Sequence, residues 1–180
     1  MSQSREKILD AAETRLLAGG PAALVLDAVA VDAGISKGGL LYHFRSKEAL
    51  VAGLLERMFE HFDRELESLS RTDPEAVGAW TRAYLGSTVT DQGTPADSSA
   101  QLMAGILATL GRDSEHLESV REHFTRWHLR LETDGIDPTT ATIVRLAADG
   151  LWLSALLGLP QLDAEASENV VRALRDLTGA

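Results

Sequence analysis

Leu26-Asp27-Ala28-Val29-Ala30-Val31-Asp32-Ala33-Gly34-Ile35-Ser36-Lys37-Gly38-Gly39-Leu40-Leu41-Tyr42-His43-Phe44 is the stretch that decides the fold. Leu26, Val29 and Ala30 mark a short helix that ends at Gly34, because glycine enters the left-handed region without Cβ strain. Ser36 is placed to cap a second helix running through Leu40, Leu41 and Phe44. Ala30 is small enough for the two helices to approach, and Ile35 and Leu40 fill the space between them. Two short helices around a glycine turn make a helix-turn-helix, here spanning 26–44. In that motif the second helix enters the major groove with its N-terminal residues at the base edges. Lys37 is the long donor there, with reach to a guanine O6/N7 or a phosphate. Gly38 and Gly39 cost roughly 1 kcal/mol each in helix propensity relative to alanine. That cost makes sense where bare backbone has to approach DNA. Tyr42, His43 and Lys47 add a hydroxyl, an imidazole and an ammonium as phosphate donors. The candidate DNA contacts are therefore Ser36, Lys37, Gly38, Gly39, Tyr42, His43 and Lys47. A buried two-helix turn with no nucleic-acid role is the rival reading of the same pattern.

Helical spacing continues on both sides and no sustained apolar/polar alternation occurs, so the chain is expected to be all-α with about nine helices. Upstream, Ile8, Leu9, Ala12 and Leu16 form an apolar stripe that Gly19-Gly20-Pro21 stops. Downstream, Ser46 caps a long helix with Glu48 in its first turn, carrying Leu50, Leu54, Met58, Phe62 and Leu66 to about Leu69. Asp73-Pro74 reads as a cap followed by proline at the first position of a helix holding Trp80, Tyr84 and Leu85. Thr90 to Ser98 is a loop. Further helices are expected over Ser99–Leu110, Ser114–Thr133, Pro138–Leu157 and Ala164–Leu177, with breaks at Gly111, 134–138 and 158–160. The expected division is a three-helix head at residues 1–48 and a helical body at 49–180.

The 180 residues include 17 Lys+Arg against 27 Asp+Glu, a net charge of −10. Taken whole, that disfavours a polyanionic partner. The distribution along the chain reverses the inference. Residues 1–50 hold six basic and six acidic groups, so the entire −10 belongs to 51–180. Lys37, Arg45 and Lys47 gather at one end of the motif. What the total does exclude is a protein that coats nucleic acid indiscriminately, which needs a broadly basic surface. With no cysteine there is no disulfide framework and no thiolate metal site. Met1 to Lys7 lacks the apolar core of a signal peptide. The longest apolar stretch, Leu151 to Pro160, falls short of the ~20 residues that cross a bilayer. A cytoplasmic chain with no membrane partner is expected.

The segments Arg5-Glu6-Lys7-Ile8-Leu9-Asp10-Ala11-Ala12, Ala33 through Phe44 and Ser46-Lys47-Glu48-Ala49-Leu50 resemble the TetR family of bacterial transcriptional repressors, over roughly the first third of the chain. The resemblance implies an all-helical homodimer with three N-terminal helices on DNA and a larger ligand-binding body. It also implies that Lys37, Gly38 and Tyr42 face bases or adjacent backbone, and that His43 and Lys47 grip phosphates. Two positions depart from the pattern. Val25 stands where Ser or Thr usually caps the second helix and touches phosphate, which leaves Asp27 as the alternative cap. Leu41 stands where a tyrosine is common.

The helix holding Ile143, Leu146, Ala147, Gly150, Leu151, Leu153, Ser154 and Leu157 is apolar or small around much of its circumference, which suits a helix meeting both a core and a partner. The last helix carries the stripe Val170, Val171, Leu174 and Leu177. Two such helices per subunit predict a four-helix dimer interface, and a two-fold operator needs two heads. Trp80, Tyr84, Met103, Leu107, Phe124, Trp127, His128, Asp149 and Trp152 are candidate walls of a pocket for a small apolar or aromatic effector. No catalytic residue, metal or cofactor is expected. Paired Glu-x-x-His elements, His-Glu-x-x-His and Gly-x-x-x-x-Gly-Lys do not occur in the sequence, and His116, His123 and His128 lack i, i+4 spacing. The expected function is a homodimeric repressor that binds a palindromic double-stranded DNA operator and is released by a small-molecule effector. The competing class is an all-helical enzyme or ligand-binding protein whose helix-turn-helix is only structural.

Overall fold

The computed structural model describes residues 3–110 and 116–179, His116 by its backbone alone. Among the described residues there are nine helices and no strand: α1 (Gln3–Ala23), α2 (Leu26–Asp32), α3 (Lys37–His43), α4 (Lys47–Thr72), α5 (Ala79–Thr88), α6 (Ser99–Leu110), α7 (His116–Glu132), α8 (Pro138–Leu156) and α9 (Ala164–Leu177). The expected break at Gly111 and helix start at Ser114 lie outside the described residues. Gly20 carries out the expected stop in α1, at φ 62 and ψ −162, and one short turn from Pro21 follows it. Asp137 and Asp163 cap α8 and α9 by accepting from the backbone N–H groups of Thr140 and Ala166, both at 2.8 Å. A bridge between Val89 and Pro95 pins the 90–98 loop.

One expected element is corrected. The helix predicted from Asp73-Pro74 begins only at Ala79, after Gly78 at φ 79. The competing force is Arg82. Its guanidinium holds Asp73 through two 2.8 Å hydrogen bonds and donates to the carbonyls of Glu75, Val77 and Thr178. Asp73 is therefore spent on Arg82 and on the Glu75 N–H, and the segment wraps around the guanidinium as a loop.

The chain forms two compact units, Met1–Met58 with Gln101–Leu117, and Phe59–Ala100 with Glu118–Ala180. In the first, Ile8, Leu9, Ala12 and Leu16 of α1 pack with Val29 and Ala30 of α2, Leu40 of α3, and Leu50 and Leu54 of α4, all buried. Gly53 brings α4 onto this core: a Cβ there would lie 2.6 Å from Phe44 Cε1. Gly105 does the same for α6 against α1, where a Cβ would lie 2.8 Å from Leu16 Cγ. Arg57 clamps α4 to α1 through Asp10 at 2.6 Å and Glu13 at 2.5 Å.

In the second unit α5 is buried on nearly every side and packs on α8. Ala141, Val144 and Ala148 give α8 a flat buried face, and Val171 and Leu174 seat α9. α8 also presents Ile143, Leu146, Leu153 and Leu157 at 46–59% exposure. With Gly150 these residues repeat at alternating steps of three and four, the seam of a helix that packs against another helix.

Candidate DNA-contact and effector sites

The helix-turn-helix closes as its residue types require. Gly34 adopts φ 67, its N–H bonds Val31 O at 3.0 Å, and the Ile35 N–H reaches back to Ala30 O at 3.0 Å. Ser36 then caps α3 by accepting from the Gly39 N–H at 3.0 Å. α2 starts at Val25 with no side-chain cap. Asp27 does not replace one: its carboxylate is turned to Lys37, with Nζ at 2.8 and 3.1 Å from the two oxygens. The cap expected of Asp27 loses to a charge pair across the turn.

This geometry sorts the expected DNA contacts by access. Ser36, Lys37, Gly38 and Tyr42 are exposed, with Tyr42 at 83%, while Gly39, His43 and Lys47 are half-buried. Tyr42 meets His43 edge-on at 5.2 Å between ring centroids. A Cβ built on Gly38 meets nothing within 4 Å, so nothing inside the described chain asks for glycine there. Lys47 is held by the Pro21 carbonyl at 2.7 Å. Glu48, in the first turn of α4, has its carboxyl held below the usual range by backbone N–H and by the Ser46 hydroxyl.

In the second unit an aromatic cluster surrounds a buried polar link. Phe62 packs edge-on against Tyr84 and Trp127, at 5.6 and 4.8 Å, and Phe124 and Phe59 lean on Trp127 at 5.1 and 5.6 Å. The Tyr84 hydroxyl donates to Asp149 Oδ1 at 2.7 Å, and Arg145 donates to Oδ2 at 2.8 Å. Burial, with the Asp149 charge second, pushes the Tyr84 hydroxyl well above its ordinary pKa. Burial also raises Asp149, against the opposing pull of Tyr84 and Arg145. Trp127 Nε1 donates to Asp63 Oδ1 at 2.5 Å, and Arg126 meets the other oxygen at 3.3 Å.

The cluster brings together Tyr84, Phe124, Trp127 and Asp149 of the expected pocket. The other members lie elsewhere. Trp152 donates to Ser99 Oγ at 3.0 Å, His128 sits 3.4 Å from Glu132, and Met103 and Leu107 belong to the first unit. Trp80 lines an open cleft of about 570 Å³ with Glu67, Arg71, Arg130 and Asp134, and the Arg130 guanidinium lies 4.1 Å over its ring. Phe59, Phe62, Asp63 and Arg145 join the cluster without having been expected in it. Their signals are present in the sequence: Phe59 and Phe62 are i, i+3 neighbours, and Arg145 and Asp149 an i, i+4 charge pair.

A profile for bacterial regulatory proteins of the tetR family matches residues 8–54, and one for the tetracyclin repressor-like C-terminal domain matches residues 78–179. The HTH-type transcriptional regulator TtgR of Pseudomonas putida is 35% identical over 75 residues, 40% of this chain and 36% of that protein. The match thus spans about a third of that relative's length. A TetR family structure from Streptomyces coelicolor A3 is 27% identical with a TM-score of 0.64, covering 96% of this chain and 98% of that one. The multidrug binding protein EbrR, complexed with ethidium, is 28% identical with a TM-score of 0.65 over 96% and 98% of the two chains.

Proposed function

The chain belongs to the TetR family of bacterial regulatory proteins, and from that premise we propose that it is a homodimeric transcriptional repressor released from its operator by a small aromatic effector. The observation that carries the reading is the exposed start of α3. Lys37, Gly38 and Tyr42 stand on solvent while Leu40 is fully buried beneath them. A short helix so anchored offers two donors and one bare backbone position to a major groove. Lys37 reads a base edge after leaving Asp27, whereas His43 and Lys47 hold phosphates, and Ser36 and Gly39 fix the helix start. Residues 1–48 form the DNA-binding head and 49–180 the body.

The exposed apolar seam of α8, together with α9, is the proposed dimer face, and it sets the two heads about 34–36 Å apart for successive major grooves. The effector binds the aromatic residues around Tyr84 and Trp127. EbrR, a multidrug binding protein complexed with malachite green in one structure and with ethidium in another, supports an aromatic ligand. Of the elements that pass from one unit into the other, α4 and α6 are the proposed levers, and the Gly105 contact with Leu16 ties α6 to α1 of the head. Displacing either element by ligand changes head spacing, with a coupling of ~1–3 kcal/mol, or roughly 5–150-fold in operator affinity. Among the described residues no helix is long and apolar enough to cross a membrane. Operator binding places the protein's work in the cytoplasm, beside the bacterial chromosome. The role is binding, without catalysis.

Selection of bound fragments from a genomic library tests the reading. A two-fold-symmetric site near a promoter, with half-sites about 10 bp apart, is the expected outcome. Recovery of fragments without a common site contradicts it.

A further inference from the structure

Asp63 and Asp149, the two carboxylates in contact with the aromatic cluster, already have their partners. Asp63 accepts from Trp127 and Arg126, and Asp149 from Tyr84 and Arg145. The groups left without partners beside them are of the opposite kind. Among the described residues of the second unit, Trp80 Nε1, Ser87 Oγ, Arg145 Nε and, on α7, His128 Nδ1 are buried and have no hydrogen-bond partner; the first three lie on α5 and α8. Trp80 is 6% exposed and Ser87 5%. Roughly nine-tenths or more of buried polar groups are paired in folded proteins, so orphans gathered in one region mark a place where something else supplies the partner.

Of those three, two stand on α5 and the third on α8, which packs against it. Trp80, Tyr84 and Ser87 stand at i, i+4 and i+7 of α5, which puts them along one face, with Tyr84 in the middle. Arg145 comes to the Tyr84 part of this row from α8, through Asp149, which also receives the Tyr84 hydroxyl. Trp80 in addition lines the 570 Å³ cleft, where the exposed Arg130 side chain covers its ring. An indole N–H and a guanidinium Nε–H donate only, and a serine hydroxyl serves either way. What completes this row is an oxygen acceptor.

We infer that the effector site takes planar aromatic compounds bearing carbonyl or similar oxygen acceptors, neutral or anionic, in preference to aromatic cations, with Trp80, Ser87 and Arg145 as the recognising residues. The inference rests on the proposed reading that the body holds the effector. Asp63 and Asp149 are already bonded, Glu67 of the cleft lies 4.0 Å from Arg71, and a cation leaves the buried donors unsatisfied. Sites built of buried hydrogen-bonding groups reject analogues that lack the matching group far more strongly than apolar walls discriminate by size.

N-methylacridone and N-methylacridinium share one tricyclic frame. The first carries a carbonyl oxygen and no charge, the second a charge and no acceptor. Calorimetric titration of the full chain is expected to give about tenfold or tighter binding for the acridone. Trp80→Phe and Ser87→Ala, each checked for unchanged helix content, are expected to cut that preference several-fold while leaving acridinium binding where it was. Equal or tighter acridinium binding, no binding of either probe, or a preference that survives both substitutions overturns the inference. Failure of the underlying reading looks different: the acridone binds with the expected preference but does not release operator DNA.

Discussion

The head and the body dispose of their polar groups in opposite directions. Around the helix-turn-helix, Gly34, Ser36 and the backbone of Ala30 and Val31 satisfy one another, while Lys37, paired with Asp27, and Tyr42 stand on solvent. In the body the donors left over, on Trp80, Ser87 and Arg145, are inside. A surface that reads a large polyanion needs exposed donors on a fixed frame, since phosphates supply the field and bases the detail. A site for a small molecule gains discrimination when its donors are already out of water. On the proposed reading, the same chain keeps one set of hydrogen-bonding groups for each partner.

The comparison breaks most visibly at its two anchors. Leu40 is fully buried under the exposed start of α3. Leu40→Ala is expected to cost ~2–5 kcal/mol by cavity formation and to abolish operator binding. In the body, Asp149→Ala leaves the Arg145 side chain, 16% exposed, without its counter-charge. That is expected to cost ~3–5 kcal/mol, with chemical denaturation reading both values. If Asp149→Ala proves mild, the buried link is not the core of the body.

A pH series sharpens the body's side. Arg82 holds the Asp73 carboxyl below its usual range, chiefly by hydrogen bonding. Its contribution is therefore present at neutral pH and fades as pH falls through that lowered value. Asp149 has the opposite sign. Burial raises its pKa, so charging Asp149 costs more in the folded chain than in the unfolded one, and stability declines as pH rises from the ordinary carboxylate range to the raised value. Thermal melts from about pH 3 to 7 are expected to lose the acid limb in Asp73→Asn and the opposing slope in Asp149→Asn.

Gly38→Ala separates fold from function in the head. The added methyl has nothing within 4 Å to meet. Stability is expected to rise by up to about 1 kcal/mol, while operator affinity falls because the methyl stands where DNA approaches. Smaller still is the difference between the two lysines. Lys37→Ala is expected to relax preference at one base position by about 1–3 kcal/mol, and Lys47→Ala to weaken all DNA alike and shallow the salt dependence by about one unit. Identical behaviour of the two variants removes that division of labour.

How much is legible in the sequence follows the same contrast. The head is set by local rules, a left-handed glycine, a serine cap and an apolar stripe, so its turn and helices emerge from consecutive residues. α6 and α9 likewise begin and end where their stripes do. The Asp73-Pro74 start fails because Arg82, nine residues on, competes for the same carboxylate. Asp27 reads as a cap because nothing in its own helix tells where Lys37 lies in space. Trp80 and Trp152 group with Trp127 as apolar bulk in the sequence, but each indole is directed by a single distant partner, Arg130 or Ser99. Contacts between helices far apart in sequence have no local signature, and the proposed effector site consists almost wholly of such contacts.

The most direct test of the central claim is the anisotropy of the purified protein on its selected operator and on a scrambled duplex of equal length, at moderate salt, with the Gly38→Ala variant alongside. The wild type is expected to prefer the operator by roughly a thousandfold or more, and the more stable variant to lose that preference. Equal affinity for the two duplexes, or a variant that binds the operator as the wild type does, contradicts the claim.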